Sequence, residues 1–151
     1  MTYRYVEKLH PFSLSPESLD WYLSRGWYRM GSNIFTTHFL CFQQQLYSAI
    51  WIRLDLAGFE FSKSQRKLLR KNAQLFTHRV GFRHITQEKE LLYHQYATNF
   101  NGRLSPTLRD SLEDYDETPV FNTYETTIRD LQTNALVGAS YFDLGSHSAA
   151  S

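Results

Sequence analysis

Between Phe61 and Asn72 the chain reads FSKSQRKLLRKN, so Lys63, Arg66, Lys67, Arg70 and Lys71 stand beside the hydroxyls of Ser62 and Ser64 and the amide of Gln65. Cations for charge and short polar side chains for hydrogen bonds are what a phosphate backbone requires. No Asp or Glu occurs from 61 to 87, and His78, Arg79, Arg83 and His84 extend the positive field. The acids Asp110, Glu113, Asp114, Asp116 and Glu117 gather downstream. A formal net charge of +1 therefore conceals a polarised chain with one face suited to a polyanion. A solvated helix surface is the competing reading of such a run.

Other chemistry is sparse. The six histidines are scattered, and no Ser/His/Asp or Cys/His constellation stands out, so structural or surface roles are expected for them. Cys41 is the one cysteine; with His38 it falls short of the four ligands of a structural zinc or the several thiolates of an iron–sulfur cluster. It is expected to be a buried apolar thiol, and no metal or cofactor is expected. A lone cysteine makes no internal disulfide and no basic-then-apolar leader opens the chain, so cytoplasm is the expected compartment. Apolar stretches fall far short of the ~20 residues that span a bilayer, and no membrane role is expected. With 42% apolar and 16% aromatic residues in 151, the chain can bury one ordinary core, as one domain or two small interlocked lobes.

The elements that must position these groups follow from caps and periodicity. Ser15, Pro16 and Glu17 start a helix with Leu19, Tyr22 and Leu23 on one face, and Gly26 ends it. Aromatic and β-branched residues predict strands over 27–42 and 46–54, with Gln43, Gln44 and Gln45 turning between them. Ser62 or Ser64 caps a helix whose Leu68, Leu69, Leu75 and Phe76 form a buried stripe beneath the outward cations. Val80, Phe82 and His84 read as a short strand. Thr86 then caps a helix with Leu92, Tyr93, Tyr96 and Phe100 on one face, stopped by Asn101 and Gly102, and Ser105–Pro106 starts another. Residues 123–129 and 136–144 read as an antiparallel hairpin around Asp130, Thr133 and Asn134.

Five stretches together resemble the aminoacyl-tRNA–protein transferases, that is, arginyl-tRNA–protein transferases and their bacterial leucyl-transferring relatives: RGWYRMG (25–31), LYSAIWIRL (46–54), FSKSQRKLLRKN (61–72), FNTYE (121–125) and ALVGASYFDLG (135–145). Their order and spacing are similar to the family's across nearly the whole chain. The resemblance implies an N-terminal region over 1–78, followed over 79–151 by the first part of a domain like the Gcn5-related acetyltransferases. The expected fold class is thus α/β, with a mixed, mainly antiparallel sheet and flanking helices. In the family more sheet and a Tyr- and Cys-containing motif follow, so the resemblance implies the front part of a longer protein, with the second half of its acyl-transfer site absent. Val137, Ala139, Tyr141 and Phe142 would then present apolar surface or an unpaired strand edge.

The activity implied is transfer of an amino acid, arginine first among candidates, from tRNA to the N-terminal amine of proteins with acidic N-termini, marking them for degradation. Aminoacyl-tRNA is the co-substrate. The implied tRNA-binding residues are Lys63, Arg66, Lys67, Arg70 and Lys71. Arg29, in RGWYRMG, is the candidate reader of the acceptor's carboxylate, because guanidinium takes carboxylate bidentately. Asp143, ending the strand like the family's, is the candidate catalytic residue that holds an amine. Trp21, Trp27 and Trp51 offer faces for the unpaired acceptor end of tRNA, although aromatics at alternate strand positions are ordinarily core. Two departures stand out. Many members carry cysteines near the places of Tyr3 to Tyr5 and Phe39 to Phe42, and Glu125 stands where the family often has a His. A non-catalytic RNA-binding module and a small-molecule N-acyltransferase are the alternatives.

Overall fold

In the computed structural model, which describes residues 6–102, 104–112 and 119–151, three antiparallel sheets and four helices are formed. The acids Glu113, Asp114, Asp116 and Glu117, like Tyr3 to Tyr5, lie outside the described residues.

The first sheet takes β1 (Val6–Leu9), β2 (Tyr28–Met30) and β3 (Asn33–Thr37), with β3 in the centre. Between β1 and β2 runs α1 (Pro16–Leu23), capped by the Ser15 side chain on the Ser18 N–H and ended before Gly26, whose φ of 76° only glycine adopts freely. β4 (Phe39–Phe42) and β5 (Gln45–Ser48) form a hairpin of their own through Gln43 and Gln44, both at positive φ (48° and 63°) as a two-residue hairpin turn demands. The third sheet has the order β6–β7–β8–β9: β6 (Phe76–Phe82), β7 (Thr123–Asp130), β8 (Leu136–Leu144) and β9 (Ala149–Ala150). α2 (Lys63–Asn72) precedes it, while α3 (Gln87–Asn99) and α4 (Leu108–Leu112) lie between β6 and β7 in sequence. The mixed α/β class with antiparallel pairing is therefore as expected.

Leu19, Trp27 and Ile34 pack with Phe121, so α1 and the first sheet share a core with the segment leading into β7. The Leu14 N–H donates to the Val120 carbonyl beside it (3.0 Å). Residue 78, where the sequence placed a boundary, falls inside β6.

Four expectations are corrected. The strand expected over 46–54 stops at Ser48, and Ile50 and Ile52 are 81% and 85% exposed. Among the described residues β5 pairs with β4 alone, and the alternation over 50–54 is not used in any sheet. Leu68, Leu69 and Leu75 are exposed (57%, 50% and 44%), not a buried stripe. Amphipathic spacing marks a face but supplies no partner, and no residue of α2 is buried. Cys41 is exposed because its hairpin stands on two strands alone. Finally, Thr107 and not Ser105 caps α4: its Oγ1 accepts the Asp110 N–H at 3.0 Å.

Candidate nucleic-acid interface and ligand pocket

α2 begins with a reciprocal capping box. The Ser62 hydroxyl accepts the Gln65 N–H, and the Gln65 side chain accepts the Ser62 N–H at 2.8 Å. With its first turn fixed, the helix presents Lys63, Arg66, Lys67, Arg70 and Lys71 to solvent, and Arg70 and Lys71 sit in the last turn, where the helix dipole favours cations. Arg66 donates to the Phe61 carbonyl. Among the described residues no carboxylate forms an ion pair with any of the five. All five predicted phosphate-binding residues thus share one exposed helix.

Arg29 on β2 and Asp143 on β8 are brought together. Arg29 NH1 lies 2.7 Å from Asp143 Oδ1 and 2.7 Å from Thr123 Oγ1, its Nε donates to the Gly31 carbonyl at 2.6 Å, and its NH2 donates to the Leu112 carbonyl. The guanidinium also lies over the Phe121 ring, 4.5 Å from its centroid. Thr123 Oγ1 donates to the same Asp143 oxygen at 2.6 Å. The ion pair is secluded, with side-chain exposures of 14% and 6%. Asp143 is therefore anchored through Oδ1. Among the described residues its Oδ2 accepts no hydrogen bond, and it is not one of the polar atoms sealed away without a partner.

A cavity of about 330 Å³ opens beside this pair, walled by Tyr28, Met30, Ser111 and Phe142. A carboxylate held at one oxygen and open at the other is an acceptor suited to an ammonium or amine. Asp143, Arg29 and Thr123 all line the cavity, and the Arg29 donors are engaged by protein acceptors. Thr123 is absent from the expected site residues: counting back from Arg129 opposite Leu136 would set it against Phe142, and the register shift between Ile128 and Arg129 sets it opposite Asp143 instead.

A second buried pair holds α3 to the sheet. Lys89 Nζ donates to Glu125 Oε1 and to the His84 carbonyl, each at 2.5 Å, while Glu125 Oε2 accepts the His84 N–H at 3.2 Å. Exposures of 7% and 10% make the pair mutually dependent, because either charge alone would be stranded without water. Glu90 caps α4 by accepting the Leu108 and Arg109 N–H groups at 2.9 and 3.0 Å. Near both acids, burial first and then the fields of Glu125 and Glu90 push the Tyr141 phenol up to about 12, and its hydroxyl is buried without a partner. Of the tryptophans, Trp27 is core, Trp51 stacks on Tyr28 at 3.9 Å, and Trp21 is half exposed with Arg25 over its ring.

At its far end the chain returns to α1. Asp20 accepts the His147 N–H at 2.9 Å and the Ser148 hydroxyl, and Glu17 accepts the Ser146 hydroxyl at 2.7 Å. Those hydroxyl bonds are the largest reason that both carboxyls titrate below their ordinary range. No helix among the described residues is long and apolar enough to cross a membrane. No protein-family model, curated protein or solved structure matches the chain.

Proposed function

We propose that the protein is an aminoacyl-tRNA–protein transferase, with an acetyltransferase-like arrangement around β6 to β9, working in the cytoplasm. The observation that carries this reading is α2, a capped, fully exposed helix with five cations and no carboxylate paired to them among the described residues. The five family-like stretches supply the rest of the support.

The chemistry asks little of side chains. Aminoacyl-tRNA is an activated ester, and a protein α-amine with a reference pKa of about 7.7 to 8.0 is partly neutral at pH 7. The amine nitrogen attacks the ester carbonyl carbon, an amide forms, the bond to the tRNA ribose oxygen breaks, and the proton lost by nitrogen ends on that hydroxyl. Positioning and backbone N–H stabilisation of the tetrahedral oxyanion supply most of the rate. Asp143 Oδ2 holds an amine beside the reacting ester, and Arg29 with Thr123 keeps that carboxylate aimed. α2 grips the tRNA phosphates.

The test uses labelled arginine on tRNA and peptides beginning with Asp or Lys. Transfer to the Asp peptide is expected of the longer protein that the resemblance implies, and none is expected of the 151-residue chain alone. Changing Lys63, Arg66, Lys67 and Arg70 to Gln should weaken tRNA binding and make its slope against log salt shallower by about 3 to 4, close to one counterion per lost phosphate contact. Unchanged binding and slope return α2 to a solvated face. Binding without transfer of any amino acid identifies a non-catalytic RNA-binding module, and transfer from acyl-CoA to small amines identifies an N-acyltransferase.

A further inference from the structure

β6 is the outer strand of its sheet, and its residues are exposed along most of its length. The ladder tells which of its backbone groups are spent. Arg83 N–H donates to the Thr123 carbonyl and Leu131 N–H to the Leu75 carbonyl, at 3.1 and 2.9 Å. Both lie in one register with Gly81↔Glu125 and Arg79↔Thr127, so the odd-numbered residues face β7. The N–H and C=O groups of Phe76, His78, Val80 and Phe82 consequently point to the open side. Natural sheets guard such an edge by shortness, bulges, proline or charge, and β6 has seven residues in unbroken register with no bulge or proline and with Arg79 as its one charged residue.

The two faces beside that edge differ. On the α3 side a cavity of about 630 Å³ runs along the strand, walled by Arg79, His84, Lys89 and Arg129. The acids there, Glu125 and Glu88, are already paired to Lys89 and Arg129, which leaves Arg79 as the unmatched charge of this lining, with His78 and His84 also lining it. On the opposite face Val80 and Phe82 are 55% and 70% exposed, and the Phe82 ring leans on Tyr124 at 4.5 Å. The outer side of β8 is also open beyond its short pairing with β9, but β8 carries no Lys or Arg.

We propose that β6 is a docking edge for an extended segment of a partner protein that alternates acidic and apolar side chains. Strand addition satisfies the open backbone groups of Phe76, His78, Val80 and Phe82. Alternation puts acids over the cavity and Arg79, and apolar side chains over Val80 and Phe82. The charge fixes the occupant: a basic or uniformly polar strand would gain the backbone bonds and lose both faces. This edge acts independently of the tRNA reading.

The experiment measures anisotropy of a fluorescein-labelled octapeptide alternating Glu and Val on the intact chain. Saturable binding is expected, weaker by about tenfold or more for the peptide alternating Lys and Val and for one with the four Glu and four Val in separate blocks. Val80→Pro removes an outward N–H without touching the β7 ladder and should abolish binding; Arg79→Glu should reverse the preference between the Glu and Lys peptides. Should Val80→Pro unfold the protein, the peptide itself carries the test. N-methylation of alternate amides must abolish binding in one phase and spare it in the other. Equal binding of the Glu and Lys peptides, or indifference to both methylation phases, overturns the proposal. Sedimentation showing that β6 is occupied by a second copy, or competition by RNA alone, overturns it equally.

Discussion

Asp143 has exchanged most of its water for Arg29 and Thr123, which ties its charge to one guanidinium and one hydroxyl. Removing Arg29 leaves a secluded carboxylate without a cation. Arg29→Ala should thus cost roughly 3 to 5 kcal/mol in urea unfolding, whereas Arg29→Met with Asp143→Leu should cost far less than the two single losses added. Additive losses would mean the pair is solvated. Any effect of Arg29→Ala on acceptor choice must be read at a temperature where the variant is shown to be folded. The sequence marked both residues through the resemblance. It could not mark their contact, because 114 residues separate them and nothing local encodes that approach. Thr123 was hidden by the register shift between Ile128 and Arg129, which moves its partner from Phe142 to Asp143, and the Leu112 carbonyl by its dependence on how α4 settles.

Among the elements, three of the four announced by a cap formed where the caps said, and the fourth, α4, starts from Thr107 instead of Ser105. Ser15, Ser62 and Thr86 each accept the N–H three residues on, a local interaction that the sequence states directly. Burial was the quantity it could not state. The stripe on α2 and the alternation over 50–54 are real patterns with no surface to meet in this structure. The return of residues 145–148 to α1 was equally hidden, and it gives the element-scale prediction. Glu17 and Asp20 titrate below their ordinary range when folded, so their contribution is present above that range and is lost as pH falls through the lowered values. Protection of the His147 amide from hydrogen exchange should therefore fall in acid before that of Leu144, which bonds to the Asn122 carbonyl. Asp20→Asn should flatten this difference. An unchanged acid response in that variant would place the trigger elsewhere.

For the whole molecule the balance of apolar surface is the salient fact. A core of Leu19, Trp27, Ile34 and Phe121 coexists with exposed Leu46 (76%), Ile52 (85%), Leu56 (68%) and Phe82 (70%). Such surface binds hydrophobic dyes and promotes association. The chain should enhance ANS fluorescence at neutral pH and sediment as mixed oligomers at tens of micromolar; a dye-silent monomer would mean these side chains are covered in solution. Val137, at 45% exposure, belongs to this surface, while Tyr141 and Phe142 are only half exposed or less. The mixed α/β class with antiparallel sheets was legible from pattern. The small size of the core was not, since it follows from which faces meet.

The anchoring of α1 has a consequence in time. Its polar partners Ser146, His147 and Ser148 lie 127 to 129 residues further along the chain, and Phe121 is also distant. A ribosome adding ~5–20 residues per second needs roughly 5 to 25 s to deliver them. Through most of that interval Leu19, Trp27 and Ile34 have been made while Phe121 and the polar partners of α1 have not. The nascent chain therefore offers chaperones an amphipathic helix early, and the amino-terminal third completes its folding only after the carboxy-terminal hairpin has been made.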